Sequence, residues 1–155
     1  MIFMKRIAVI GLGNPLRSDD AIGIFLLDKL KGKIDKDIEI IDCGTGGFKL
    51  LHQLAKFDFI LFIDAVNLSK EIGEYKYFSV DEVESNKDDY GLSTHENDLM
   101  KIINISRQID EISNSLFVFG IQPGNISFGT KISKEIQKNV DLYVEKIIEI
   151  INENK

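Results

Sequence analysis

An α/β fold is predicted for residues 1–155: one domain, with a mostly parallel, twisted sheet of about five strands and helices on both faces. Two features of the sequence predict it. Apolar runs such as Ile7–Ile10 and Phe59–Ile63 lack polar alternation, the mark of strands buried on both faces. These runs alternate with stretches whose apolar residues recur at helical spacing, the β-α-β order of right-handed parallel crossovers. A chain of 155 residues, 44% hydrophobic and 28% charged, is long enough to bury a sizeable core without disulfides.

The elements follow in order. Lys5–Ile10 predicts a first buried strand, and Gly11–Asp20 a loop with Asn14-Pro15 as its turn signal. Residues 20–31 predict a helix with Ile22, Phe25, Leu26 and Leu30 on one face. Ile38–Asp42 is a second strand, Gly44–Gly47 a loop and Phe48–Lys56 a short helix. Phe57–Asp64 is a third strand, with Asp64 at its end. Glu74–Val80 alternates around Tyr75, Tyr77, Phe78 and Val80 and predicts an edge strand, whereas polar Val83–Leu92 predicts an exposed loop. Ser93-Thr-His-Glu96 fits a capping box opening a helix to about Gln108. Leu116–Ile121 is a further strand. Ser133 is placed to cap one long helix to about Asn152, with Ile136, Val140, Val144, Ile147 and Ile151 at helical spacing.

Composition narrows the function classes. Nineteen Lys and Arg against 25 Asp and Glu give a net charge of −6, a field that repels phosphate backbones, so nucleic acid is not an expected partner. Cys43 is the single cysteine, which excludes an intrachain disulfide and a multi-cysteine metal site and fits a reducing cytoplasm. No apolar stretch approaches the ~20 residues of a membrane span, and no signal peptide is expected at the N-terminus.

Ligands of open parallel sheets bind beyond the carboxyl ends of the strands. Asp19 and Asp20, Asp42, Asp64 and Gln122 fall there, and His95 begins a helix packed on the same sheet. Asp19 and Asp20 suit helix capping, since acids are favoured at a helix N-terminus. Asp64 follows Phe59–Ile63, a run with no polar residue, where a buried carboxylate needs compensation. At a helix start His95 stays neutral, the metal-binding form, and His52 reads as a partly exposed helix residue. Asp20, Asp64 and His95 together suit a borderline divalent ion such as nickel or zinc, in an open site. Cys43 reads as a small packed residue. A dinucleotide-binding oxidoreductase is the rival reading. Gly11-x-Gly13 begins the fingerprint and Asp42 mimics the ribose-binding acid, but Leu16 stands where the third glycine belongs and Pro15 delays the helix.

Five segments together resemble the hydrogenase maturation endopeptidases, which trim the C-terminus of the [NiFe]-hydrogenase large subunit: Gly11-Leu-Gly-Asn-Pro-Leu-Arg-Ser-Asp-Asp-Ala-Ile-Gly23, Asp42-Cys-Gly-Thr-Gly-Gly47, Phe62-Ile-Asp-Ala65, Ser93-Thr-His95 and Gly120-Ile-Gln-Pro123. The resemblance covers nearly the whole chain. It implies that Asp20, Asp64 and His95 contact metal, and that this metal is nickel carried by the precursor rather than held by the resting enzyme. It also implies an enzyme whose partner is the large-subunit precursor. Asp42 is the candidate general base, and Thr45, Gly46 and Gly47 are candidate backbone donors to the substrate. A non-catalytic nickel-dependent chaperone remains the other alternative.

Overall fold

The computed structural model describes residues 4–44, 53–85, 91–92, 103–104, 107–108 and 115–155. Strands β1 (Ile7–Leu12), β2 (Glu39–Gly44), β3 (Phe59–Asn67) and β6 (Ser115–Ile121) run parallel, and β4 (Tyr75–Ser79) closes one edge antiparallel to β6. The strand order is β2-β1-β3-β6-β4, with β5 (Gly91–Leu92) pairing antiparallel to the end of β3. The chain leaves β1 towards β2 and returns to β1's other side as β3. The β1–β3 boundary is therefore the topological switch point, where crossovers diverge and leave a crevice.

Strand pleating sends alternate side chains to two cores. On one face, Val9, Phe59, Leu61, Ile63 and Phe119 pack against helix α1 (Ile22–Leu30) and the last two helices, α3 (Lys134–Gln137) and α4 (Val140–Glu153). Helix α4 buries Tyr143, Val144, Ile147, Ile150 and Ile151, the i, i+4, i+8 stripe that helical geometry requires. On the other face Ala8, Ile10, Ile60, Phe62 and Val66 meet Leu54, Phe57, Leu68, Val80 and Ile103.

The structure corrects several expectations. β3 does not end at Asp64; it continues to Asn67 because Val66 and Asn67 find partners in Leu92 and Gly91. Residues 18–21 form a 3₁₀ turn, and α1 begins only at Ile22. Helix α2 (Val80–Ser85) takes the last residue of the predicted edge strand and the first three of the predicted loop: Val80 tucks into the core, and the Ser79 hydroxyl accepts the Asp81 N–H to start the turn. The long final helix is two helices. Asn139 interrupts it, its Nδ2 donating to the Glu135 carbonyl 3.1 Å away, a local bond that competes with helix continuation. Ser133 does precede α3, but its hydroxyl makes no cap bond. Of the predicted helix Phe48–Lys56, Leu54–Lys56 is a 3₁₀ turn, and of the predicted helix to Gln108, residues Ile103, Asn104, Arg107 and Gln108 are helical. Thr45, Gly46, Gly47, His52, the Ser93–Glu96 capping box and His95 lie outside the described residues. Among the described residues no helix is long and apolar enough to cross a membrane.

Candidate active site

Among the described residues, the buried serine and aspartate side chains are Ser18 (3% exposed), Asp19 (0%), Asp20 (1%) and Asp64 (3%). All four stand at the carboxyl end of β1 and β3. Burying a carboxylate costs several kcal/mol unless hydrogen bonds compensate, so their concentration at the switch point is a built feature.

The glycines of the first signature explain how the Asp20 turn comes so close. A Cβ on Gly13 would stand 1.9 Å from the Asp20 carbonyl oxygen, and Gly13 has φ 137°, a conformation open to glycine. A Cβ on Gly23 would stand 2.3 Å from the Ile63 oxygen and 2.4 Å from the Leu12 oxygen. The turn and the first residues of α1 thus lie directly on the adjoining ends of β1 and β3, beside the residue that precedes Asp64. Gly13, the second glycine of the Gly11-x-Gly13 pattern, is thus packed against the protein's own backbone rather than open to a pyrophosphate, which argues against the dinucleotide reading.

Asn14 wraps the turn. Its N–H donates to Asp20 Oδ2 at 2.9 Å, and its Oδ1 accepts the Leu16 N–H at 2.9 Å. Asp20 therefore does not cap α1, whose N-cap is Ala21. Ser18 holds φ 53°, a left-handed conformation unusual outside glycine. It is kept there by bonds to the loop beyond β6: its N–H reaches the Gly129 carbonyl at 2.8 Å and its hydroxyl the Ser127 carbonyl at 2.9 Å. Asp19 accepts four donors from the same loop and does not cap α1 either.

Asp64 projects onto the face of β3 that carries Phe62 and Val66, and its Oδ1 accepts the Ala65 N–H at 2.8 Å. Its register partner on β6 is Gly120, where a Cβ would meet Val66 Cγ2 at 2.9 Å. The last signature has a structural role as well. Gln122 Oε1 accepts the Leu68 N–H at 2.6 Å and so ties the loop after β3 to the loop after β6. Sequence reading placed Gln122 at the strand end but missed this tie, since it spans 54 residues.

Asp42 is not brought to this cleft. It is exposed, pairs with Gly11, and so shares the sheet face of Ile63, opposite to that of Asp64. It lines a small crevice with Ile24, Leu27, Asp28, Lys31 and Ile40, and its Oδ1 accepts the Gly44 N–H at 3.0 Å. Cys43 points the other way, buried in the second core as a small packed residue. The structure thus sets Asp20 and Asp64 at the β1–β3 boundary and leaves Asp42 on β2, on the face opposite to that of Asp64.

Comparison with known proteins identifies the relatives of the chain as a whole. The profile of the hydrogenase maturation protease family matches residues 24–150. A putative hydrogenase maturation protease of Methanocaldococcus jannaschii is 34% identical, the alignment covering 97% of this chain and 91% of that protein. The hydrogenase 2 maturation protease of Escherichia coli is 26% identical, covering 96% and 92%. Among solved structures, the hydrogenase maturating endopeptidase HybD from E. coli superposes with a TM-score of 0.85 at 24% identity, covering 96% of this chain and 93% of that one. The [NiFe] hydrogenase maturation protease HycI from Thermococcus kodakarensis superposes with a TM-score of 0.73 at 27% identity, again covering 96% and 93%. Profile, relatives and fold agree, and the chain belongs to the hydrogenase maturation protease family, as a peptidase of that family.

Proposed function

We propose that this peptidase removes the C-terminal extension of a [NiFe]-hydrogenase large-subunit precursor, and that nickel already seated in the precursor is what it recognises. The observation that carries this reading is the pair of buried carboxylates, Asp20 and Asp64, at the switch point of the sheet. Two carboxylates make a hard, labile site, unlike the His-rich sets that hold a resident catalytic zinc. His95 is the third contact. Leu92 pairs with Val66, two residues beyond Asp64, and the three residues from Leu92 to His95 span at most about 11 Å, which supports grouping it with them.

Asp20, Asp64 and His95 are the residues that would hold the precursor's nickel, which would fix the scissile segment over the crevice. When bound there, the ion would supply Lewis-acid polarisation of the scissile carbonyl or of a water. Water adds to the carbonyl carbon, the C–N bond breaks, and the leaving amine takes up a proton. A carboxylate oxygen at the crevice accepts the water's proton. Asp42 has a different role in this reading: it anchors the turn into Gly44. The reaction belongs in the cytoplasm, a placement that the lone buried thiol supports, and the net charge of −6 supports a protein rather than a nucleic-acid partner.

The test is cleavage of nickel-loaded and nickel-free precursor followed by intact mass, beside elemental analysis of the purified enzyme. Cleavage of the nickel-loaded form alone, by an enzyme purified without stoichiometric metal, is expected. Stoichiometric zinc in the resting enzyme with equal cleavage of both precursors would overturn the nickel-recognition reading.

A further inference from the structure

Two aspartates stand side by side in the Ser18–Ala21 turn, and their surroundings differ. Asp20 meets the loop that leaves β1, through Asn14. Asp19 turns to the chain beyond β6. Its Oδ2 accepts the Gly124 N–H at 2.8 Å, the Asn125 N–H at 3.0 Å and the Ser133 hydroxyl at 2.5 Å, and its Oδ1 accepts the Ser133 N–H at 2.7 Å. The Asp19 N–H also donates to the Asn125 carbonyl at 2.9 Å. With 0% exposure, this side chain is occupied by the protein itself and has no role as a contact for substrate. Four donors converging on one carboxylate define a single orientation of the turn, because charge-assisted bonds in a dry site are strong and directional.

We propose that Asp19 is a positioning residue for Asp20: the Gly124–Ser133 loop grips Asp19 and thereby fixes the direction in which the next residue's carboxylate enters the crevice. The consequence for catalysis rests on the reading of Asp20 as a contact to the precursor's nickel. The consequence for geometry does not, since the Asn14 N–H bonds to Asp20 Oδ2 and reports where that carboxylate stands.

Asp19→Asn replaces one acceptor oxygen by an NH₂ group facing N–H donors, and Ser133→Ala removes one donor and leaves the remaining three. Each is compared with Ile147→Ala, a core variant on α4 that makes none of the Asp19 hydrogen bonds, at a temperature where all are folded. Amide hydrogen exchange at Asn14 is expected to accelerate about tenfold in Asp19→Asn but not in Ile147→Ala. The kcat for precursor cleavage is expected to fall by about 10–100-fold, the usual cost of losing a group that orients a ligand, with a smaller loss for Ser133→Ala. In a double-mutant cycle, Asp19→Asn is expected to cost nothing further once Asp20→Ala is present. Should Asp19→Asn fail to fold, Ser133→Ala carries the same comparison. Unchanged Asn14 exchange, or additive losses with Asp20→Ala, would overturn the proposal. A wild-type enzyme that cleaves no precursor, with Asn14 exchange still released by Asp19→Asn, would sink the nickel reading and leave the positioning role intact.

Discussion

Asp64 and Asp42 stand on the two strands that flank β1, near the same edge of the sheet, yet they have opposite fates. Asp42 lies level with Gly11, whereas Asp64 lies one residue beyond Ile63, the partner of Gly11. In a pleated sheet, one residue of offset exchanges the two faces. Asp64 is buried at the switch point with Asp20 nearby, and Asp42 is exposed in a crevice against α1. Reaching the carboxyl end of a strand is therefore not enough to join a site; the parity of the position decides it.

The sharpest way to break this comparison is to neutralise each carboxylate. Asp64→Asn is expected to lower precursor cleavage by on the order of 10²–10⁴-fold, measured by single-turnover kinetics, if its charge serves the reaction. Equal losses in Asp64→Asn and Asp42→Asn would show that sheet parity does not sort these residues.

Gly23→Ala tests what sets the level of the Asp20 turn over Asp64. Its Cβ meets two backbone oxygens that cannot swing aside. Overpacking of this kind costs about 1–3 kcal/mol, and each kcal/mol lowers Tm by roughly 2–4 °C at this size. Cleavage should fall with it, since Ile63 adjoins Asp64. A variant that melts and cleaves like wild type would mean that α1 does not hold the crevice in register.

Tyr143 probes the face opposite to Asp64. Its buried hydroxyl donates to the Gly73 carbonyl, and burial pushes its pKa above the ordinary value of 10.0. The neutral form is thus favoured in the fold. That contribution is present in full below the unfolded value and is lost as pH rises through the folded one. Tyr143→Phe is expected to cost about 1 kcal/mol near neutrality from the lost hydrogen bond and to flatten the decline in urea midpoint above about pH 10. An unchanged alkaline slope would refute this origin.

Asp42→Asn should have the smallest effect. The asparagine oxygen still accepts the Gly44 N–H, so stability is expected to stay within about 0.5 kcal/mol and cleavage close to wild type. A loss on the order of 10²-fold would restore Asp42 as the general base.

The parallel sheet, its edge strand and the stripe on the last helix were legible in the sequence, because unbroken apolar runs and helical periodicity are local consequences of burial. That Asp20 and Asp64 would lie towards the carboxyl ends of buried strands was legible too. The duties of individual polar residues were not. Asp19 and Asp20 look like two equivalent helix caps, and Ser133 looks like another, until a loop more than 100 residues away binds Asp19 and takes the Ser133 hydroxyl with it. Likewise Gly11-x-Gly13 reads as a phosphate loop until the Asp20 turn occupies the space beside Gly13. Local sequence determines which residues prefer burial or a turn, since those preferences depend on neighbours a few positions away. Hydrogen-bond partners, sheet parity and close backbone approach depend on segments distant in the chain, and only the tertiary structure decides them.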